Sequence, residues 1–417
     1  MEKSQNYYDV VVIGAGPAGA VASTILSKKG YRVLVLEKQH FPRFSIGESL
    51  LPQCMEILES AGMLKAVIEA GFQYKNGAAF ATNEKYDFFD FRQKFSAGWG
   101  TTYQVQRAQF DKVLANCAEE NGAEIRYGHS VASYKDIGDR VQLDVINENS
   151  ESETYQVEAK FVLDASGFGR VLPKLLNLEK ESSLSPRVSL FTHIKDGITH
   201  PEYDRNKILI SVCPDNNQIW YWLIPFSNGR ASVGVILPRD IYDNNSVGDN
   251  AADNKELLLK YISKATMMHG YLKEAEFDTE IRKLDGYSCD VTSLYGDKFA
   301  LLGNAGEFLD PVFSSGVTIA LKSADLATQA LHKKLQGEVV DWEVEYSQPL
   351  KQGVGVFKTF VQGWYDGSLQ DVIFTEDKSL KIKEMISSVL AGYAWDTKNP
   401  YVKDPNRLKI LAELCQS

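Results

Sequence analysis

Gly14, Gly16 and Gly19 form a GxGxxG pattern between a β-branched run, Asp9 to Ile13, and an alanine-rich stretch, Ala20 to Lys29. The chemistry open to that spacing is the holding of a pyrophosphate. The first glycine permits a tight turn, the second lets a phosphate approach the backbone, and the third lets the next helix pack on the strand. Ala18, inside the same loop, belongs to this set. The phosphate then sits at the positive end of a helix. Glu37 follows the second buried run, Tyr31 to Leu36, where an acid accepts hydrogen bonds from ribose hydroxyls and disfavours a 2′-phosphate. A dinucleotide is expected, and these residues alone leave FAD and NAD both open.

A second constellation lies far down the chain, at Trp220-Tyr221-Trp222-Leu223-Ile224-Pro225. Strand alternation puts Trp220, Trp222 and Ile224 on one face and Tyr221 and Leu223 on the other. Two indoles on one face make a rigid apolar wall, and Pro225 cannot donate to a ladder, so it ends or edges the strand. Taken alone, the run reads first as a core strand of a large sheet.

The elements that position these groups follow from the pattern of apolar and turn residues. Asp9 to Glu37 is a βαβ unit of about 30 residues. Gln53 to Ala70 reads as helix, Phe72 to Phe95 as aromatic-rich strands, Phe110 to Asn121 as helix, and Glu124 to Val157 as a meander with a polar turn at Asn147 to Glu153. Phe161 to Asp164 is again an apolar strand. Val188 to Pro238 holds four strand-like runs with turn residues between them, as an antiparallel sheet requires. Asp240 to Asp253 is polar and loop-like, Lys255 to Lys264 helical, Phe299 to Gly303 a last buried strand and Val317 to Leu335 a long helix. Asp341 to Ser417 carries mostly helical patterning.

With 417 residues the chain is long enough for two or three units around a sizeable core. A net charge of −10 with no basic stripe argues against nucleic acid and anionic membranes as partners. No apolar run is long enough for a membrane span, and the N-terminus enters a strand without room for a signal peptide, so a cytoplasmic location is expected. The five cysteines form no CxxC pair and the six histidines show no ligand spacing, so neither a disulfide framework nor a metal site is expected.

Asp164-Ala165-Ser166-Gly167 and Gly303-Asn304-Ala305-Gly306-Glu307-Phe308-Leu309-Asp310-Pro311 resemble the two later FAD motifs of the p-hydroxybenzoate-hydroxylase-like flavoproteins. Within that superfamily the chain resembles the flavin-dependent halogenases of the phenol and pyrrole types. The resemblance covers most of residues 8 to 330. It includes Gly47-Glu48-Ser49-Leu50-Leu51-Pro52, Phe72-Gln73-Tyr74-Lys75-Asn76-Gly77, Tyr103-Gln104-Val105-Gln106-Arg107, Asp310-Pro311-Val312-Phe313-Ser314-Ser315-Gly316 and the WxWxIP run.

The resemblance implies an α/β fold: an FAD-binding Rossmann-like domain of the glutathione-reductase type, an antiparallel substrate-side sheet and a helical C-terminus. The FAD-binding part would take 1–80, 100–180 and 285–340, the sheet 81–99 and 181–284, and the helical region 341–417. Asn304 stands where the superfamily carries an Asp to the FAD ribityl chain, and keeps the hydrogen bond without the charge. Asp310-Pro311 would lie beside the isoalloxazine ring, with the helix from about Gly316 aiming its positive end there. Ser315 and Gly316 are candidates for a chloride or bromide site built from backbone N–H groups, or serve only to approach the flavin. Arg43, Glu48 and Arg107 are either FAD or pocket contacts or an ion-pair set around the first crossover. Glu307 departs from the small or apolar residue usual at its position.

Lys75 matches the lysine that halogenases use to hold or capture hypohalous acid, and Trp220 and Trp222 the wall that keeps substrate from the flavin. An ammonium can hydrogen-bond and polarise HOCl, and a neutral amine can form a chloramine. The alternative is a surface lysine with its stem on aromatic neighbours. The implied activity is halogenation of a small electron-rich aromatic, a phenol or pyrrole, free or bound to a carrier protein. No second nucleotide motif is visible, so a separate flavin reductase would supply reduced FAD. Trp364, Tyr365, Tyr393 and Trp395 are expected to bury helices, with the lining of a pocket as the alternative. The rival readings are a hydroxylating monooxygenase, a reductase resembling geranylgeranyl reductases, and a flavoprotein that only binds a partner. A tunnel from flavin to Lys75 would mark the halogenase and the absence of any tunnel there would overturn it; a long apolar groove would mark the reductase.

Overall fold

The computed structural model describes residues 6–150, 153–245, 250–375 and 379–416. The expectations for Met1 to Gln5, for Glu151 and Ser152 in the polar turn, and for 246–249 in the polar stretch lie outside the described residues.

One seven-stranded sheet carries the dinucleotide motifs. Tyr7–Ile13 lies between Val33–Glu37 and Glu153–Asp164, and Phe299–Leu301 pairs with the end of the latter, all in parallel. Ile13 is level with Leu36 and Asp164, and Asp164 with Leu301. Four chain segments therefore leave the same sheet edge, at Gly14, after Glu37, at Ala165 and after Leu302. The carboxyl ends of parallel strands are where such sheets bind ligands. Val10 to Ile13 and Val33 to Leu36 are buried throughout, hence their unbroken apolar runs.

A second seven-stranded sheet runs in the order Arg282–Asp285, Arg187–Lys195, Arg230–Pro238, Asn216–Pro225, Lys207–Cys213, Gly77–Ala81, Tyr86–Asp90. It is antiparallel except between Lys207–Cys213 and Gly77–Ala81. The tryptophan strand is internal and stops at Pro225. Trp220, Trp222 and Ile224 face the main core, which continues into the nucleotide sheet; Tyr221 and Leu223 face a separate core under the helices at Ala251–Ile262 and Thr266–Tyr271. The expected alternation is present.

Of the C-terminal helices Gln348–Tyr365, Ser368–Phe374, Leu380–Leu390, Pro400–Lys403 and Arg407–Gln416, the first packs on the long helix Ser315–Leu335 and the others pack on that first helix or on one another. They also cover the outer strand Tyr86–Asp90, where Lys383 Nζ meets Asp87 Oδ1 at 2.8 Å. Such cover removes an exposed sheet edge.

Four details differ from the sequence expectations. The second sheet takes in Gly77–Ala81, ahead of the boundary placed at residue 81, because these residues pair with Lys207–Cys213. The Gln53 to Ala70 helix is two helices, Gln53–Ala61 and Leu64–Glu69, separated by Gly62 in a left-handed conformation that ends the first. Glu124–Tyr127 leaves the meander to pair in parallel with Val33–Glu37. Part of the polar 240–253 stretch is helical, at Arg239–Asn245 and from Ala251, where the Asn250 side chain caps the second helix by accepting from the Ala252 and Asp253 amides.

Candidate active site

The glycine turn is built as its spacing requires. Gly14 has φ +94°, and a Cβ on Gly19 would stand 1.9 Å from the Gly14 carbonyl oxygen. Gly16 is open except towards Arg43, whose Nη2 would lie 3.5 Å from an added Cβ. The helix Pro17–Lys28 has no side-chain cap and no acid in its first turn, and Ala18 is buried within that turn. Its first amides therefore present positive charge beside a guanidinium. Glu37 Oε2 accepts from the Ala15 amide and Oε1 from the Gln39 amide, both at 2.9 Å.

Asp164 is buried, which pushes its carboxyl pKa up, and accepts from the amides of Ser166 at 2.9 Å and Leu172 at 2.6 Å. Its observed work is to tie the strand end to the following turn. Gly303 has φ +53° and donates its N–H to Ser323 Oγ at 2.9 Å. The carbonyl of Asn304 accepts from Arg170 Nη1 at 3.4 Å, which joins the third and fourth motifs.

Arg43 and Arg107 form the ion-pair set offered as the alternative to ligand contact, through a residue the sequence reading passed over. Asp111, fully buried, lies 3.2 Å from Arg43 Nη1 and accepts from Arg107 Nε at 2.7 Å and Nη2 at 3.0 Å. The i,i+4 spacing of Arg107 and Asp111 was a usable signal. Glu48 pairs elsewhere: His193 Nε2 meets its Oε1 at 2.6 Å, with the imidazole between Phe44 and Phe226, while Oε2 is buried without a partner among the described residues. Arg43, Phe44, Glu48, Arg107 and His193 also line a cavity of about 500 Å³. Two arginines, an uncapped helix end and an open glycine face suit the anionic and ribose parts of FAD.

Lys75 is not a surface lysine. It is fully buried, on the short strand Gln73–Lys75 opposite Thr102. Its Nζ donates to Ser49 Oγ at 2.8 Å and to the Leu50 carbonyl at 2.7 Å, and lies 5.4 Å from the centre of the Phe91 ring. Burial lowers its pKa to about 7, against a smaller opposing effect of Cys54. Thr102 Oγ1, Gln104 Oε1 and Gln53 Oε1, on neighbouring segments, are buried without partners among the described residues. Lys75 does not line the Arg43 cavity, so that cavity is not an open tunnel to the ammonium.

The tryptophan wall is tied on both sides. Trp222 Nε1 donates to Ser232 Oγ at 3.0 Å, and its ring lies over Gly234, where a Cβ would come within 2.3 Å of it. Trp220 Nε1 donates to Tyr365 Oη at 2.9 Å, and Tyr365 Oη donates to Asp310 Oδ2 at 2.8 Å. Asp310 begins the Pro311–Phe313 turn, with Oδ1 accepting from the Val312 amide at 3.0 Å. Ser315 and Gly316 open the long helix, Gly316 against the Phe308 ring. No local pattern singled out Tyr365 among the C-terminal aromatics or pointed to His193. Glu307 is half-buried in a second cleft of about 540 Å³ with Lys180, Lys351, Lys358 and Asp290; burial, and next the Asp290 charge, raise its pKa. Among the described residues no group of three or more His, Cys, Asp or Glu could hold a metal, and no helix is long and apolar enough to cross a membrane.

Four motifs at the carboxyl ends of parallel strands, with an apolar wall on a second sheet, have the form of a dinucleotide-binding flavoprotein. Residues 7–341 match the family described as FAD binding domain. The 1H-pyrrole-2-carbonyl-(peptidyl-carrier protein) brominase of Pseudoalteromonas luteoviolacea is 30% identical over 81% of this chain and 80% of its own length. The corresponding chlorinase of Pseudomonas fluorescens is 27% identical over 98% and 94%. A crystal structure of a flavoprotein/dehydrogenase from Cytophaga hutchinsonii superposes with a TM-score of 0.93 at 42% identity, covering 98% of this chain and 99% of that one. The chain belongs to the FAD-binding-domain family and, within it, to the flavin-dependent halogenases.

Proposed function

We propose that this protein halogenates a small electron-rich aromatic, a phenol or pyrrole, and that Lys75 presents the oxidant to it. The observation that carries the assignment of Lys75 is its burial: an ammonium with no exposure, held by Ser49 and Leu50 and shifted by burial to a pKa of about 7. A lysine is a costly core residue, and such groups mark functional sites more often than structural ones.

FAD, when bound and reduced, supplies the electrons with which O₂ oxidises halide to hypohalous acid. The rest falls to the chain. Gly14, Gly16, Ala18, Gly19 and the Pro17–Lys28 helix end would hold the pyrophosphate, with Arg43 and Arg107 beside it and Glu37 at a ribose. Asp164, Gly303 and Asn304 shape the adjoining wall, and the amides at Ser315 and Gly316 would hold chloride or bromide near the Asp310-Pro311 turn. Trp220 and Trp222 exclude the aromatic from the flavin side. Below a pH of about 7 Lys75 donates a hydrogen bond that polarises HOX; above it, the free amine can take the halogen and pass it on. Attack by the aromatic carbon on the halogen of HOX or of the haloamine breaks the O–X or N–X bond, and the ring proton goes to the departing hydroxide, as water, or to the departing amine.

Support for a carrier-bound pyrrole comes from the two relatives named for that substrate. A separate reductase would supply reduced FAD, since no second nucleotide motif stands in the sequence. Five free thiols suit a reducing, cytoplasmic setting. The likeness to the Cytophaga hutchinsonii flavoprotein/dehydrogenase favours a second reading, direct oxidation or reduction of a substrate at the flavin. The deciding experiment supplies reduced FAD, O₂ and bromide with phenols and pyrroles, free and carrier-bound, to wild type and Lys75→Ala. Brominated product lost in the variant supports the proposal; hydroxylated product from both, or halide-independent turnover, overturns it.

A further inference from the structure

The aromatics of the C-terminal region are expected to bury helices or, as the alternative, to line a pocket; one of them joins the two halves of the site. Tyr365 is the last residue of the helix Gln348–Tyr365. Its hydroxyl accepts from the Trp220 indole at 2.9 Å and donates to Asp310 Oδ2 at 2.8 Å. The guanidinium of Arg187 lies over its ring, 3.4 Å from the centroid, and is itself held by Gln218 on the tryptophan strand, through its carbonyl at 3.0 Å and its Oε1 at 3.2 Å. Tyr287 Oη reaches the same Asp310 oxygen at 3.5 Å.

Asp310 is 2% exposed, and its other oxygen orders the turn that leads into the long helix. Burial raises its pKa to about 6, and donors from Val312, Tyr365 and Tyr287 together with the Arg187 charge work against that rise. A buried carboxylate short of donors relaxes or takes a proton. A buried indole N–H short of an acceptor turns its ring or draws in water. One hydroxyl meets both needs at once.

We propose that Tyr365 is a positioning residue that locks the Trp220 wall to the Asp310 turn, so that oxidant formed on the flavin side is spent on the aromatic rather than released as peroxide. This rests on the halogenase reading. Packing alone does not account for the arrangement, because phenylalanine would fill the same space and keep the Arg187 contact while losing both hydrogen bonds.

The test compares wild type, Tyr365→Phe and Trp220→Phe as FAD-loaded enzymes. It records the visible spectrum and affinity of oxidised FAD, and the ratio of brominated product to hydrogen peroxide per reduced FAD consumed. Loss of both buried hydrogen bonds is expected to lower that ratio by at least about ten-fold in Tyr365→Phe. The FAD absorption band should shift in the same variant without turnover. Trp220→Phe should lose coupling to a similar degree, and the double variant no more than either single one. A wild-type ratio and wild-type FAD spectrum in Tyr365→Phe overturn the proposal, as do fully additive losses. Should Tyr365→Phe fail to load FAD, the ratio in Trp220→Phe decides, with a wild-type value overturning the link. A wild type that brominates nothing sinks the halogenase reading instead, and the FAD spectrum of Tyr365→Phe still reports on the lock.

Discussion

Lys75 Nζ donates to Ser49 Oγ at 2.8 Å across 26 residues of sequence, and Glu48, one residue before that serine, meets His193. The Gly47 to Pro52 stretch therefore holds the buried ammonium on one side and borders the arginine-lined cavity on the other. A conformational change in this stretch would be felt in both places.

Replacing Lys75 by methionine keeps the volume and removes the charge. Halogenation should fall by at least about 10²-fold, the scale on which a reacting side chain contributes, while FAD loading and peroxide release persist. Stability at pH 6 should rise by about 1–3 kcal/mol, because a buried charge is exchanged for an apolar side chain. Urea unfolding and product analysis check the two halves separately. A variant that halogenates at the wild-type rate would remove Lys75 from the mechanism.

The pH dependence has a defined sign. Lys75 has a folded-state pKa of about 7, below the ordinary lysine value, so the unfolded chain binds the proton more tightly between there and about pH 10. Its contribution to stability is therefore least favourable below pH 7 and improves as pH rises through that window. Asp310, raised to about 6, acts oppositely: it favours the fold below about pH 4, and that contribution is lost as pH rises through 6. In Lys75→Met the unfolding free energy should lose its rise between pH 7 and 10 while the Asp310 segment stays. An unchanged slope above pH 7 in the variant would show that Lys75 is not the group concerned.

Much of this was legible in the chain because it is local. GxGxxG, Glu37, Asp164-Ala165-Ser166-Gly167 and Gly303 to Pro311 each sit where a buried strand ends, and parallel pairing alone gathers them at one edge. The alternation of Trp220, Tyr221 and Trp222 between two cores follows from the two-residue strand period. The rest depends on packing between distant segments. Tyr365 is 55 residues from Asp310 and 145 from Trp220, and no pattern in its own helix distinguishes it from Trp364, which packs against Phe80 and Phe313. Lys75 could be named by its motif, but whether it was exposed or buried waited on the segment from Ser49 folding over it.

Asp111 bridges Arg43 and Arg107 with no exposure of its own. Asp111→Asn would leave two largely buried guanidinium groups facing a neutral amide. Removing one partner of a buried ion pair costs about 3–5 kcal/mol, and here a bound pyrophosphate could recover part of that. The apo protein should therefore lose more stability than the FAD-loaded protein. Paired urea melts with and without FAD measure the difference; equal losses in both states would place the two arginines away from the cofactor.

Gly234 faces Trp222 across the strand pair, and an added methyl would come within 2.3 Å of the indole. The ring cannot give way easily, since Phe191 lies 5.9 Å from it, Trp220 6.0 Å, and its Nε1 is bound to Ser232. Gly234→Ala should cost about 1–3 kcal/mol, the usual price of overpacking a filled core. It should also tilt the wall, so that peroxide release rises per flavin oxidised while FAD affinity holds. Gly229, on the turn before the same strand, has open space where its Cβ would go, but its φ of +74° makes it a poor control. Ser227→Ala serves better, since Ser227 lies in the exposed turn between the two strands. If Gly234→Ala loses stability but keeps wild-type coupling, then Trp222 is a core residue of the sheet and the barrier rests on Trp220 alone.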